Sequence, residues 1–102
     1  MQSQIHSIML EVAEVNRLNG WHDESRTFGE DVALLHSEVS EMLEAYRKND
    51  TANLYEEAAD VFIRLLDTWF RLGKSGDDLV DEVMSKLAKN RTRGYRHGGK
   101  VI

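Results

Sequence analysis

The chain has 102 residues, 41% hydrophobic and 30% charged, with no cysteine and no proline. That length suits one domain with a modest core. The composition fits a globular protein and argues against disorder, while the lack of cysteine removes disulfide frameworks and thiolate metal sites.

No run reaches the roughly 18 apolar residues that a membrane span requires. The first ten residues hold no basic residue ahead of their apolar positions, so no signal peptide is expected and a cytoplasmic location is. The net charge of -5 conceals an asymmetry: all 18 acids lie in residues 1–85, whereas residues 86–102 carry six of the 13 Lys and Arg residues and no acid. A basic tail of this kind attracts polyanions, nucleotide phosphates or nucleic acid. An acidic body disfavours wrapping by DNA, so no nucleic-acid partner is expected.

Four helices are expected in chain order. Ile5, Ile8, Met9, Val12 and Val15 recur at helical spacing, giving a first helix over about 4–18, closed by Asn19-Gly20. Residues 21–26 read as a loop. Thr27 is a candidate N-cap with Glu30 three residues on, a capping-box signature for a second helix that runs to about Lys48. Asn49-Asp50 breaks the pattern, and a third helix is expected over about 54–72, stopped by Gly73. Ser75 or Asp77 would cap a fourth over about 78–90, with acids in its first turn and Lys86 and Lys89 in its last, as the helix dipole favours. The expected domain is thus a single all-α unit, residues 1–102, with a helical body over about 4–90 and an irregular basic tail over about 91–102.

Two acidic pairs stand at i, i+3 spacing, which places each pair on one helix face: Glu38 with Glu41, and Glu57 with Asp60. On a helical wheel Glu38 falls inside the apolar stripe, between Leu34 and Ala45 on one side and Leu35 and Met42 on the other. Glu57 borders Val61, and Asp60 is followed by Arg64 and Asp67. A carboxylate facing a core is costly to desolvate, and a divalent cation bound by several carboxylates would offset that cost. An all-oxygen donor set favours Mg²⁺, with Mn²⁺ as a substitute. Neither pair contains the histidine that a di-iron helical bundle uses. The competing reading is an ordinary acidic surface.

The apolar residues of the third helix cover an arc of about 200°, where one buried face needs about 100°. Trp69, Phe70 and Ile63 lie at the far side of that arc, and a homodimer or tetramer is expected to cover them. Lys86, Asn90 and Arg93 follow at i, i+4, i+7, and Tyr95, Arg96, His97 and Lys100 sit among three glycines. This set has the charge to bind a triphosphate. Trp21-His22, between two helices, offers an aromatic for a base; the alternative is a Trp that caps the core. His6 and His36 show no ligand spacing.

These residues resemble the MazG-like, all-α nucleoside triphosphate pyrophosphohydrolases over about residues 21–100. The resemblance rests on Glu38-Val39-Ser40-Glu41, a spacer of fifteen residues, Glu57-Ala58-Ala59-Asp60, the stretch Lys86 to Asn90, and the ending Arg-x-Tyr-Arg-His-Gly-Gly-Lys. It implies a four-helix MazG-like bundle completed by oligomerisation. It further implies that Glu38, Glu41, Glu57 and Asp60 ligate Mg²⁺, and that a motif glutamate, Glu38 or Glu41, helps to activate water. Lys86, Asn90, Arg93 and Tyr95 would hold phosphates, and Trp21 and His22 would help to form the base pocket. The implied reaction converts a (d)NTP and water to (d)NMP and pyrophosphate. The alternative is a non-catalytic helical oligomer that binds nucleotide or nucleic acid through its basic tail.

Overall fold

The computed structural model describes residues 2–23 and 25–93, and every regular element among them is helical. Helix α1 spans Gln4–Leu18 and starts on Ser3, whose hydroxyl accepts from the His6 N–H. Gly20, at φ 82, turns the chain out of it, a conformation that glycine adopts without a Cβ penalty. The stretch expected to be a loop opens instead with a 3₁₀ turn, Trp21–Asp23.

Helix α2 spans Phe28–Arg47 and carries the expected capping box: Glu30 N–H donates to Thr27 Oγ1 and Thr27 N–H to Glu30 Oε1, both at 3.1 Å. Helix α3, Thr51–Arg71, begins three residues earlier than its apolar pattern predicts. Asp50 is the reason, because its carboxylate accepts from the Asn53 N–H and so caps the helix rather than only breaking the previous one. Helix α4, Gly76–Thr92, is capped by Ser75 in a second box with Asp78 and extends two residues beyond its expected end. No helix among the described residues is long and apolar enough to cross a membrane.

Helices α2 and α3 form an antiparallel hairpin, and α1 packs on α3 and α4. The core is small: Met9, Val12 and Leu66 are buried, with Ile5, Ile8, Trp69, Phe70 and Leu79 packed around them. Trp69 and Phe70, which the wide arc assigned to a second subunit, are used within this chain. Trp69 Nε1 donates to the Ser75 carbonyl at 2.7 Å, and Phe70 stacks with His22. Phe62, Ile63 and Leu65 on α3 remain exposed, as do Val83, Met84 and Leu87 on α4.

Candidate functional site

The hairpin brings the two acidic motifs face to face. At its closed end the Asp50 N–H donates to the Ala45 carbonyl at 3.0 Å. At its open end Arg71 Nη1 of α3 donates to Asp31 Oδ1 of α2 at 2.9 Å. Between these ends one carboxylate oxygen from each of Glu38, Glu41 and Glu57 lies within 4.8 Å of the others. Glu38 and Glu57 are half-buried and Glu41 is exposed. Beside them opens a cavity of ≈ 150 Å³ lined in part by Glu41, Glu57, Asn53 and Lys48.

The electrostatics are unfavourable to three carboxylates without a cation. The Oε2 atoms of Glu38 and Glu57 are both buried and have no hydrogen-bond partner among the described residues. Burial, and then the charges of Glu41 and Asp60, push the Glu38 carboxyl above the ordinary range, with Arg64 opposing. Burial also raises Glu57, followed by the adjacent Glu41 carboxyl and then the charges of Asp60 and Glu38. Such a group relaxes either by taking up protons or by binding a cation. The donor set is all oxygen, and those orphaned oxygens are where a hard divalent ion such as Mg²⁺ or Mn²⁺ would find its ligands.

Of the four expected ligands the structure clusters three. Asp60 is exposed and outside the set, although its charge is felt at both Glu38 and Glu57. Trp21 and His22 lie along the same face of α3, one and two turns beyond Asp60. Arg64 Cζ sits 4.7 Å from the Trp21 ring centroid and Arg26 Cζ 5.4 Å from it. His22 Nε2 is 2.9 Å from Asp67 Oδ1, and its ring lies 6.1 Å from that of Phe70 at an interplanar angle of 15°. Trp21 is 38% exposed, and two guanidinium groups flank its ring.

The expected phosphate ligands on α4 are not gathered at the carboxylates. Lys86 and Arg93 are exposed and make no ion pair among the described residues, and α4 packs on α1 and more lightly on α3. Asn90 is half-buried with its Oδ1 unpartnered. Tyr95, with Arg96, His97 and Lys100, lies outside the described residues.

Two features of the site escape the motif reading. Arg64 and Asp67 continue the Glu57–Asp60 face at helical spacing, so periodicity carries them, but nothing in their spacing shows what they meet. Asp31 accepts from Arg26 Nε and Arg71 Nη1, both at 2.9 Å, and is 5% exposed. The two arginines lie five and 40 positions away in sequence, separations that no local pattern links. No family model, curated protein or solved structure matches the chain.

Proposed function

We propose that the protein is a Mg²⁺-dependent nucleoside triphosphate pyrophosphohydrolase of the MazG-like type, converting a (d)NTP and water to (d)NMP and pyrophosphate in nucleotide-pool control. One observation supports this reading above the others: the carboxylates of Glu38, Glu41 and Glu57 converge from two helices, with two buried oxygens left unpartnered. An ordinary acidic surface would keep its carboxylates apart and hydrated.

In this reading Glu38, Glu41 and Glu57 hold the ion, with Asp60 beside them. A bound Mg²⁺ supplies charge neutralisation at the phosphates and lowers the pKa of a coordinated water. Glu38 or Glu41, whichever is turned toward the attacking water, would take a proton from it. A P–O bond to the water oxygen forms as the phosphoanhydride bond to the pyrophosphate leaving group breaks. Trp21 and His22 line the approach to α3, and Lys86 and Arg93, together with Asn90 and Tyr95, would serve the phosphates from the end of α4 and beyond. Exposed Phe62, Ile63 and Leu65 support a homodimer or tetramer as the working form.

The test is a nucleotide panel with Mg²⁺, separating products by chromatography. At least one (d)NTP should give monophosphate and pyrophosphate. Release of orthophosphate and a diphosphate, or no turnover with either Mg²⁺ or Mn²⁺, overturns the assignment. Nucleotide binding without turnover returns the chain to the non-catalytic alternative.

A further inference from the structure

Arg64 stands apart from the other basic residues near the hairpin. Its Nε and Nη1 are buried, and neither has a hydrogen-bond partner among the described residues. A guanidinium has five N–H donors in a planar fork, and leaving buried ones unmade is costly. Arg71, by contrast, spends Nη1 on Asp31. Arg64 lies one turn beyond Asp60 and two turns beyond Glu57 on α3, so it shares their face. Its charge reaches the acid cluster, where it opposes the upward push on Glu38. Its Cζ lies 4.7 Å from the Trp21 ring centroid, so the aromatic surface, not an acceptor, faces its plane.

We infer that Arg64 is a phosphate-binding residue of this centre, holding its buried fork ready for the oxygens of a polyphosphate on the Glu38 side of the carboxylate cluster. The inference rests on the pyrophosphohydrolase reading and adds to it a donor that no acidic motif contains. The geometry has a two-part logic. Without metal, the Arg64 charge steadies Glu38. With a divalent ion among the carboxylates that duty would pass to the ion, leaving the Arg64 fork for a phosphate. A planar fork matches two phosphate oxygens at once, as an ammonium does not. Trp21, in contact with the same guanidinium, reports the event.

Titration calorimetry with Mg²⁺ alone, and then with inorganic tripolyphosphate in Mg²⁺, separates the cases, with the intrinsic fluorescence of the two tryptophans, Trp21 and Trp69, followed in parallel. Wild type should bind both. Arg64→Ala should keep or raise Mg²⁺ affinity, because a competing positive charge is gone, while tripolyphosphate affinity falls about 10- to 100-fold, the scale of a lost charge-assisted hydrogen bond. Arg64→Lys should return Mg²⁺ affinity to that of wild type but recover tripolyphosphate binding only in part, and the tripolyphosphate-induced fluorescence change should be absent in Arg64→Ala. Equal tripolyphosphate affinity in wild type and Arg64→Ala overturns the inference and leaves the metal centre standing, as does wild type that binds Mg²⁺ but no tripolyphosphate. Parallel loss of both ligands in Arg64→Ala with full recovery of both in Arg64→Lys shows a counter-charge only and also overturns it. Wild type that binds no Mg²⁺ overturns both this inference and the function on which it rests.

Discussion

The backbone N–H of Gly76 donates to His6 Nδ1 at 2.8 Å, joining the starts of α1 and α4 across 70 positions of sequence. The approach is so close that a Cβ on Gly76 would stand 2.3 Å from His6 Cα. The atom met is backbone, so it cannot swing aside. Gly76→Ala should therefore destabilise the fold by about 1–3 kcal/mol, the scale of overpacking, which exceeds the gain of under about 1 kcal/mol from helix propensity. Urea unfolding measures it, and a change within about 0.5 kcal/mol, the range of an ordinary surface substitution, would show that the two helix starts move apart freely.

Glu38→Gln and Glu57→Gln should each lower the hydrolysis rate by about 10²-fold, the scale expected when a key charge-stabilising group is lost. Stability should hold or rise, since each change removes a buried charge from a repelling group. Rate assays paired with thermal unfolding read both quantities. Full activity in both variants would reject the carboxylate cluster as the working centre.

The same two residues set a pH dependence. Their folded-state pKa values are raised, so the folded chain holds those protons more tightly than the unfolded one. Their contribution to stability is present at low pH and is lost as pH rises from the ordinary glutamate value of about 4.3 through the raised values. Asp77 and Asp78 act in the opposite sense: hydrogen bonds from Ser3 and Ser75 hold them below the ordinary range, and their contribution fades below about pH 3.9. Mg²⁺ competes with protons for Glu38 and Glu57, so its stabilising shift in Tm should grow with pH over the same window. Melting curves from about pH 4 to pH 7, with and without Mg²⁺, check this against the linkage slope. A Mg²⁺ shift that is flat across that range would place the ion elsewhere.

Asp31→Asn should cost about 3 kcal/mol, the lower end for removing one partner of a buried ion pair. The carboxylate accepts from two guanidinium groups, and the Arg71 side chain keeps 23% exposure, which softens the loss. Chemical denaturation reads the effect, and a neutral outcome would mean that water takes over both arginines.

Assembly is tested best at Ile63. It is 39% exposed and borders an apolar groove of ≈ 340 Å³ with Ile8, Val12 and Val15 of α1. If a second copy covers this surface, Ile63→Glu should shift the mass from light scattering to that of one chain and lower activity with it. Wild type with a mass near 11.7 kDa and full turnover would show that one chain suffices.

Much of the helical layout was legible because its signals are local. The α1 bounds follow from apolar spacing, and Thr27 with Glu30 marks the α2 start within four residues. Asn49-Asp50 does end α2, but a residue that ends one helix can also cap the next, and only the hydrogen bond from the Asn53 N–H shows that Asp50 starts α3 at Thr51. The wheel placed Glu38 in the apolar stripe, and its buried oxygen agrees. What the wheel could not give was the use of each side of α3: Trp69 meets Ser75 and Phe70 meets His22, contacts that depend on where the chain returns. The pairing of His6 with Gly76 and of Asp31 with Arg71 is likewise a product of tertiary distance, invisible to periodicity.

The Asp31–Arg71 ion pair and the Asp50–Ala45 turn lie at opposite ends of the α2–α3 hairpin, with the three glutamates between them. Like charges on two rods push the rods apart, and the push is relieved by splaying at a free end or by sliding one rod along the other. Fastening both ends removes each escape. The repulsion is then stored as a fixed spacing, and an incoming cation meets ligands whose helices are already in register. It follows that cutting the fastening far from the glutamates, as in Asp31→Asn, should weaken ion binding without touching a single ligand.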